Sequence, residues 1–454
     1  MAMGKRKDVQ QPLFLTVAKL AQSPAHPFYR ALNGLLDQSD FDRFVQEQCE
    51  RFYHETLGRP SLPPGIYFRC LLIGYFEGID SERGIAWRAA DSLSLRSFLQ
   101  LALDQNTPDH STISRTRRLI DLETHHEVFV FVLKLLAEHD LIDGKTIGID
   151  ATTLEANAAL RSIVRRDTGE SYQQFLTKLA QASGIETPTR EDLAKLDKHR
   201  KNKGNNDDWQ HPHDPDAKIT KMKDGRTHLA HKAEHAVDMN SGAIVGVTLQ
   251  GADQGDTTTI TETIVEATGN LRELADDEAT EDKINDKWMS EVVADKGYHS
   301  NQTLLDMETM GLRSYISEPK RGRRNWRGKP DEKQAVYGNR RRCKGQRGRD
   351  LMRRRGELIE RSFAHGYETG GMRRTHLRHH DNILKRLLVH TAGLNLALVM
   401  RKLHGIGKPR RLQGLFLLIW GCLGMLWMTM GRCRRIEARV WTIFSVKQTF
   451  ALAA

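Results

Sequence analysis

Cysteine is scarce in this chain of 454 residues, which has five scattered cysteines and no Cys-x-x-Cys pair. An odd and dispersed set of that kind argues against a disulfide framework and against a zinc module. A signal-peptide core is also missing, because the opening Met-Ala-Met-Gly-Lys-Arg-Lys leads into polar residues. We therefore expect a cytoplasmic protein, and its length is enough for two or three domains.

The sequence has no apolar run of the length that a membrane-spanning helix usually needs. The apolar-rich run at 415–430 has 16 residues and is flanked by arginines, whereas a spanning helix needs about 20. Gly421, Gly424 and Thr429 weaken the run further. We interpret it as a docked terminal helix or a partner-binding helix rather than a membrane contact. It belongs to an apolar and basic C-terminal tail over residues 404–454, and we expect no membrane partner.

Positive charge is concentrated in one segment. Residues 320–355 carry 16 Lys and Arg against 3 Asp and Glu, whereas the whole chain has a net charge of +11, so the remainder is close to neutral. Nucleic acid is the partner that such a segment favours. The alternative is a solvated or disordered basic loop without a specific ligand.

Glycines within the basic segment predict that 321–329 is poorly ordered without DNA. Its candidate phosphate contacts are Arg323, Arg324 and Arg327. The aromatic ring of Trp326 has two interpretations in such polar surroundings. It either packs on a nearby sheet or stacks on a base that is unpaired at the point of cleavage.

A second candidate DNA contact is a helix that begins after Pro108. Asp109 or Ser111 can cap it, and its first turns carry Ser114, Arg115, Arg117 and Arg118. Short polar side chains and arginines at a helix N-terminus can reach phosphates and base edges. We expect this helix to read DNA from an all-α N-terminal domain over residues 1–125, and the alternative is a capped surface helix.

Carboxylates stand at the ends of two predicted strands and on a late helix. The apolar strand that begins at Lys145, in which Gly148 permits close packing, ends on Asp150, and the strand at 288–294 ends on Asp295. Glu360 lies among core-type neighbours on a helix predicted at 351–367. Hairpin strands at 227–238 and 243–249, and a helix capped by Asp256 that runs to about 267, lie between the two aspartates.

In that order the first and fourth strands can lie side by side, which brings the two aspartates together. Three converging carboxylates repel one another unless cations bind. Their oxygen atoms select Mg²⁺ or Mn²⁺, and two such ions about 3.5–4 Å apart drive phosphoryl transfer. The first substitutes to consider are Glu357 for Glu360, and Asp256 for either aspartate.

Residues 158–210 interrupt the strand order, and helices predicted at 171–182 and 190–200 make this stretch a helical insertion. The following stretch, 211–235, is rich in metal-ligand types, but no pair has the spacing of a zinc motif. We interpret it as a polar loop that enters a strand. Its members are His211, His213, Asp214, Asp216, His228, His231 and His235.

Several motifs, taken in order, resemble bacterial insertion-sequence transposases of the Asp-Asp-Glu type, over about residues 55–403. Pro108–Arg115 resembles part of the helical domain that precedes their catalytic core. The motifs of the first and second Asp are Ile149–Thr152 and Ala294–Tyr298. Ile359–Phe363, followed by Gly371–Arg374, resembles the Glu helix and the Arg-rich turn after it.

The resemblance implies an α/β fold: a helical N-terminal DNA-binding domain followed by a ribonuclease-H-like catalytic core over 140–403 with the helical insertion. Asp150, Asp295 and Glu360 would be the catalytic metal ligands, for two Mg²⁺ or Mn²⁺ ions. The implied substrates are double-stranded DNA, both the terminal inverted repeats and the target, held by a homodimer on paired ends. Cleavage at the ends would be followed by strand transfer.

The resemblance also points to phosphate contacts near the Glu helix, and the candidates are Arg353–Arg355, Arg361, Arg373 and Arg374. The chain departs from many relatives here, because Gly356 stands four residues before Glu360 and Tyr367 seven after it. Two other functions stay open. One is a nuclease or resolvase on the same fold without strand transfer, and the other is a non-enzymatic DNA-binding regulator.

Overall fold

The computed structural model describes residues 25–54, 61–200, 203–222, 225–320, 322 and 324–410. Two sequence predictions therefore lie outside the described residues, namely the phosphate contact of Arg323 and the helix at 415–430.

The N-terminal part is helical, as predicted. Helix α1 begins at Pro27, whose fixed φ suits the first turn, and α3 is buried along nearly its whole length. The helices are α1 (Pro27–Gln38), α2 (Phe41–Cys49), α3 (Pro64–Glu77), α4 (Glu82–Ala90), α5 (Leu93–Phe98), α6 (His110–Leu119) and α7 (Leu122–Glu138).

The centre of the protein is a six-stranded mixed sheet. The eight strands of the described residues are β1 (Thr146–Glu155), β2 (Val164–Arg165), β3 (Trp209–Gln210), β4 (Lys218–Lys221), β5 (Thr227–Asp238), β6 (Ile244–Gly251), β7 (Glu291–Ala294) and β8 (Arg313–Ile316). The sheet order is β4-β5-β1-β7-β8, with β6 also paired to β5. Strand β1 is antiparallel to β5 and parallel to β7. The predicted hairpin is confirmed as β5–β6, with Gly242 at a φ of 82° in its turn.

The remaining helices lie between the strands and after the last strand in the chain. They are α8 (Tyr172–Ala182), α9 (Arg190–His199), α10 (Asp256–Ala275), α11 (Asn301–Thr309), α12 (Pro330–Lys344), α13 (Gln346–Phe363) and α14 (His380–His404). The helix predicted after Asp256 exists, but it extends to Ala275, and its N-cap residue is Gly255. Asp256 is therefore inside the first turn, where its carboxylate is free to bind another side chain.

The basic segment differs most from its prediction. A disordered basic loop was one interpretation of 320–355, but most of this segment is helical, in α12 and the first half of α13. Several of its cations are paired with acids: Arg324 and Arg340 with Glu318, and Arg347 with Glu291. Ion pairs and helical hydrogen bonds order this segment, which its net charge alone did not predict.

One hydrophobic core joins the N-terminal helices to the sheet. Helix α14 lies at its centre and packs against α3 and α7. This helix is the one in the described residues that is long and apolar enough to cross a membrane, but 89% of its most apolar window is buried inside the protein. Its hydropathy is explained by its position in the core.

The predicted insertion is largely helical, with α8 and α9, and it adds the two-stranded ribbon β2–β3. Its apolar residues belong to two small clusters: one around Leu176 lies within the insertion, and one around Trp209 also includes Ile219 of β4 and Leu229 of β5. The insertion therefore has one local core of its own and packs on the sheet through the other.

Candidate active site

Asp150 and Asp295 are neighbours at one edge of the paired strands β1 and β7. The parallel register places Ile149 opposite Ala294, and each aspartate is the next residue in the chain. Asp295 directly follows β7, as predicted, but the prediction that the first strand ends on Asp150 is wrong, because β1 continues to Glu155 along its partner β5. Carboxyl ends of adjacent parallel strands meet at the same edge of a sheet. The predicted proximity of the two aspartates is confirmed, and their role as metal ligands stays a prediction.

The carboxylate of Asp150 is held from two sides. Its Oδ1 accepts a hydrogen bond from the backbone N–H of Ala151 at 2.9 Å, and its Oδ2 accepts one from Nη1 of Arg355 at 2.8 Å. Burial raises the pKa of Asp150, and the negative charge of Asp295 acts in the same direction. These effects outweigh the opposing influence of Arg355 and the backbone N–H, so the pKa lies above its usual value.

The turn after β7 brings a third carboxylate to the site. Asp295 Oδ1 accepts a hydrogen bond from the backbone N–H of Gly297 at 2.7 Å. A Cβ at Gly297 would lie 3.0 Å from Asp295 Oδ1 and 2.5 Å from Asp256 Oδ2. Only glycine leaves room there for both carboxylates. Asp256, first considered as a substitute ligand, thus lies beside Asp295.

A buried polar network on the opposite face of the sheet supports this turn and was not predicted from the sequence. Lys232 Nζ donates to Asp256 Oδ1 at 2.7 Å and to Thr259 Oγ1 at 2.9 Å. Glu234 accepts hydrogen bonds from Thr259 at 3.0 Å and from the hydroxyl of Tyr298 at 2.8 Å. Lys232 and Glu234 stand at alternate positions of β5, so their side chains point to the same face of the sheet. This pattern in the sequence could have predicted a buried charged face.

Helix α13 crosses the sheet face that carries Asp150. Gly148 lets it approach closely, because a Cβ there would lie 3.0 Å from the side chain of Ile359 and 3.6 Å from Cγ of Arg355. This confirms the close packing predicted for Gly148. Arg355 and Ile359 occupy the sheet-facing side of the helix.

Glu360 lies on the exposed side of α13. In the described residues it forms no hydrogen bond or ion pair with either aspartate. Glu357, one turn earlier and also exposed, is paired with Arg361 at 2.6 Å. The structure thus brings two of the three predicted acids together, and the metal role of Glu360 stays a prediction.

The Arg-rich turn after α13 lies along the end of β1. Arg373 donates to Thr152 Oγ1 at 3.1 Å and to the carbonyl oxygen of Thr153 at 3.2 Å. Arg374 is exposed, and its Nε is 3.8 Å from a carboxylate oxygen of Glu155. Both arginines therefore extend the site along the strand that carries Asp150.

The predicted recognition helix is α6, and Asp109 caps it through the N–H of Ser111 at 2.8 Å. Arg115 and Arg118 are exposed. Arg117 is buried and bonded to Glu82 at 2.8 Å, so its charge is committed within the protein.

A polar cleft of about 750 Å³ runs beside α6 and is walled on the other side by the segment before α14. Ser114 and Arg118 contribute from the helix. Asn157, two residues beyond the end of β1, also lines it. The cleft thus connects the predicted recognition helix to the strand of Asp150, and its other lining residues include His213, His376, Arg378 and His379.

The remaining predicted DNA contact is the basic stretch of which residues 322 and 324–329 are described. Its Trp326 is half-buried against the core. Its ring is 6.1 Å from the ring of Tyr337, and the guanidinium of Arg324 lies 5.5 Å from its centre. Arg324 is paired with Glu318 at 2.6 Å, whereas Arg327 is exposed. The contacts of Trp326 agree with the interpretation that it packs on the protein. Part of the ring stays accessible, as stacking on an unpaired base would require.

Two protein-family models match the chain. The Transposase domain (DUF772) matches residues 18–119, and the Transposase DDE domain matches residues 206–396. No curated protein matches the chain significantly. The first match covers the N-terminal helices including α6, and the second covers Asp295, α13 and Glu360. The chain therefore belongs to the insertion-sequence transposases of the Asp-Asp-Glu type, enzymes that transfer polynucleotide strands.

Proposed function

We propose that this transposase binds the terminal inverted repeats of its own element, cuts a DNA strand there and joins the freed 3′-hydroxyl to target DNA. The observation that carries the proposal is the pairing of Asp150 with Asp295 at one edge of parallel strands, with α13 across the same face. This arrangement supports our inference that the catalytic core is ribonuclease-H-like. We expect the protein to act on nucleoid DNA in the bacterial cytoplasm, as a homodimer on paired ends.

The family implies dependence on a divalent metal, and the carboxylates fit that requirement. Asp150, Asp295 and Asp256 offer only oxygen atoms, the donors that Mg²⁺ and Mn²⁺ prefer. The raised pKa of Asp150 indicates unfavourable negative charge, which a cation would relieve. Two bound ions would lower the pKa of the attacking hydroxyl or water and stabilise the leaving oxygen.

Asp150 and Asp295 would hold both ions, and Glu360 would complete the second site after a movement of α13 or its side chain. Arg355 now neutralises Asp150, and it would be released toward a DNA phosphate when cations bind. In the joining step, the 3′-hydroxyl oxygen forms a bond to a target phosphorus as that phosphorus releases its own 3′ oxygen. The number of phosphodiester bonds is conserved.

The DNA would follow the exposed cations. Arg115 and Arg118 on α6, with Ser114 in the cleft, would contact the inverted repeat. Arg373 and Arg374, which lie along the end of β1, would hold the cleaved strand together with Arg361, and Arg327 would make a further phosphate contact. Phosphate contacts of this kind fix the register of the DNA.

The test uses DNA ends taken from the sequence that flanks the coding region. Asp150→Asn, Asp295→Asn and Glu360→Gln should each abolish Mg²⁺-dependent cutting and leave end binding nearly unchanged, because metal ligands position the chemistry rather than the DNA. Glu357→Gln is the matched control on the same exposed side of α13 and should cut normally. Normal cutting by Glu360→Gln with loss in Glu357→Gln would transfer the role to Glu357.

Joined products decide between the proposed function and the nuclease alternative. With pre-cut ends and supercoiled target DNA, the transposase should produce strand-transfer products. A protein that nicks ends in Mg²⁺ but never joins them is the nuclease or resolvase. Binding without any cutting would indicate a regulator.

A further inference from the structure

A cavity of about 620 Å³ lies where the N-terminal helices meet α13 and α14. Helix α3 lines one side of it, and Ser241 and Gly242 of the β5–β6 turn line another. The apolar side chains that line it are those of Tyr75, Phe76, Leu358, Leu394, Ala397 and Leu398. A concave and mostly apolar wall of this extent fits the body of a small organic molecule.

The charged groups of the cavity are all positive. Its cationic lining consists of Arg361 of α13, Arg401 of α14, and Lys408 and Arg410, which follow α14. Among the described residues, no Asp or Glu lines the cavity. Arg361 is paired with Glu357 outside the cavity, so the cations that concern us are the other three.

These three cations have only uncharged partners within the described part of the chain. Nε of Arg401 is buried and has no hydrogen-bond partner there. Lys408 Nζ donates to Thr369 Oγ1 at 3.0 Å, and Arg410 donates to the carbonyl oxygen of Glu77 at 2.5 Å. The positive charge is therefore not balanced by a carboxylate, and a buried donor without a partner indicates an unfilled role.

The cations also repel one another. The pKa of Lys408 is lowered to about 8, first by burial and then by the positive charges of Arg410 and Arg401. Burial lowers the pKa of His365, and the charges of Lys408 and of two arginines act in the same direction. A bound anion would relieve this repulsion.

We propose that the cavity binds a small organic anion, with its carboxylate or phosphate head among Arg401, Lys408 and Arg410 and its apolar body against the leucines. Guanidinium and ammonium groups bind both kinds of head. The chain's own tail is a poorer occupant, because residues 411–454 carry six Lys and Arg against one Glu. A DNA duplex presents phosphates but no exposed apolar body that would enter the cavity.

This cavity is separate from the proposed catalytic site. Gly242 lies in the turn after Asp238, and Asp238 is opposite Ile147 in the strand register, three residues before Asp150. That separation is roughly 10 Å along the strand. The anion would contact α3, α13 and α14 together. It would therefore stabilise the packing of the N-terminal helices on the helix of Glu360 without taking part in strand transfer.

The test follows the fluorescence of 8-anilinonaphthalene-1-sulfonate, an anion with an apolar body, on the full chain. The dye should bind saturably, and octanoate and octyl phosphate should displace it. Octanol has an apolar body without a charge, and inorganic phosphate has a charge without such a body. Each of these should displace the dye at least about tenfold more weakly. Equal displacement by octanol or by phosphate alone would overturn the proposal.

Variants of the cavity assign the binding to it. Arg401→Met and Lys408→Met keep an apolar stem and remove one charge, so each should weaken dye binding at least about tenfold. Lys402→Met, at the exposed neighbour of Arg401 on α14, is the matched control and should bind the dye as the parent does. Affinity equal to that of the parent in both cavity variants would contradict the proposal.

A second measurement uses the pH dependence of the parent. A bound anion favours protonated Lys408, so dye affinity should fall as the pH rises from 7 to 9.5 through the pKa of about 8. Neighbouring groups keep their charge in this range, because burial raises the pKa of Tyr75 and lowers that of His365, and both Arg401 and Arg410 stay protonated. The fall should be smaller in Lys408→Met. The same affinity at both pH values in the parent would show that Lys408 holds no anion.

Discussion

Nη1 of Arg355 donates a hydrogen bond to Oδ2 of Asp150 at 2.8 Å, although 205 positions separate the two residues in the chain. Only 15% of the arginine side chain and 28% of the aspartate side chain are exposed, so water screens this pair weakly. The positive charge lies at the carboxylate that we propose as a metal ligand. Arg355 and a divalent ion therefore compete for the same negative charge.

Removal of this arginine should favour metal binding. Arg355→Met keeps the apolar stem over Gly148 but removes the charge, and we expect Mn²⁺ to bind about tenfold more tightly. Arg353→Met is the matched control, because Arg353 is 83% exposed on the same helix and is paired with Asp350. The measurement is a Mn²⁺ titration followed by electron paramagnetic resonance. Weaker binding in Arg355→Met would mean instead that the arginine orients Asp150 for the metal.

The exposed arginines of α6 should contribute to DNA binding, and the buried one to folding. Arg115→Ala and Arg118→Ala should each weaken binding to the inverted repeat by about 1–3 kcal/mol without a change in melting temperature. Arg117→Met should lower the free energy of unfolding by roughly 3–5 kcal/mol, because it leaves Glu82 without its partner. Mobility-shift titrations and urea unfolding separate the two effects. Unchanged affinity in Arg115→Ala and Arg118→Ala would make α6 a capped surface helix.

Trp326 can be tested for stacking on an unpaired base. If it stacks, Trp326→Ala should reduce cutting of fully paired ends by an amount equivalent to about 1–3 kcal/mol, and ends opened by a mismatch should restore part of the activity. Tyr337→Ala removes the ring beside Trp326 and is the control for lost packing. Equal losses in both variants, on both substrates and with equal changes in melting temperature, would mean that Trp326 only packs.

His125 should make the protein sensitive to acid. It is buried, with Nε2 2.9 Å from the hydroxyl of Tyr67, and burial lowers its pKa from 6.5 to about 3. The unfolded chain therefore binds more protons between these two pH values. The stability that neutral His125 contributes is complete above pH 6.5 and is lost as the pH falls toward 3, by about 1.4 kcal/mol per pH unit.

The measurement is the free energy of unfolding in urea between pH 7 and pH 5. His125→Gln, which can keep an acceptor toward Tyr67, should show a shallower loss than the parent, and the exposed His404→Gln should follow the parent. The same pH slope in His125→Gln as in the parent would show that His125 does not carry this sensitivity.

Local patterns in the sequence determined the strands and the positions of the candidate acids. The start of strand β1 follows from its β-branched residues, although the strand runs past its predicted end at Asp150 to Glu155. The hairpin β5–β6 follows from Asn-Ser-Gly. The proximity of Asp150 and Asp295 followed from the order of the strands alone. These features depend on neighbouring residues and on chain connectivity, both of which can be read from the sequence.

The basic segment shows where local patterns failed. Its net charge left a disordered basic loop as one of two interpretations, but charge alone does not report the acids outside the segment, Glu318 and Glu291, that pair with Arg340 and Arg347. The same is true of Arg117, which looks like a DNA contact in the sequence and is a buried ion pair in the fold. Whether a cation is free depends on which acid the fold brings to it.

The sequence by itself thus determined the kind of chemistry, through the strand-end carboxylates and the order of the motifs. Only the tertiary structure decided which groups meet: Arg355 with Asp150, Lys232 with Asp256, and His379 with Asp214. These partners lie between 24 and 205 positions apart. The periodicity of apolar residues in a sequence reports only on residues a few positions apart. Contacts at these larger separations depend on how whole helices and strands pack.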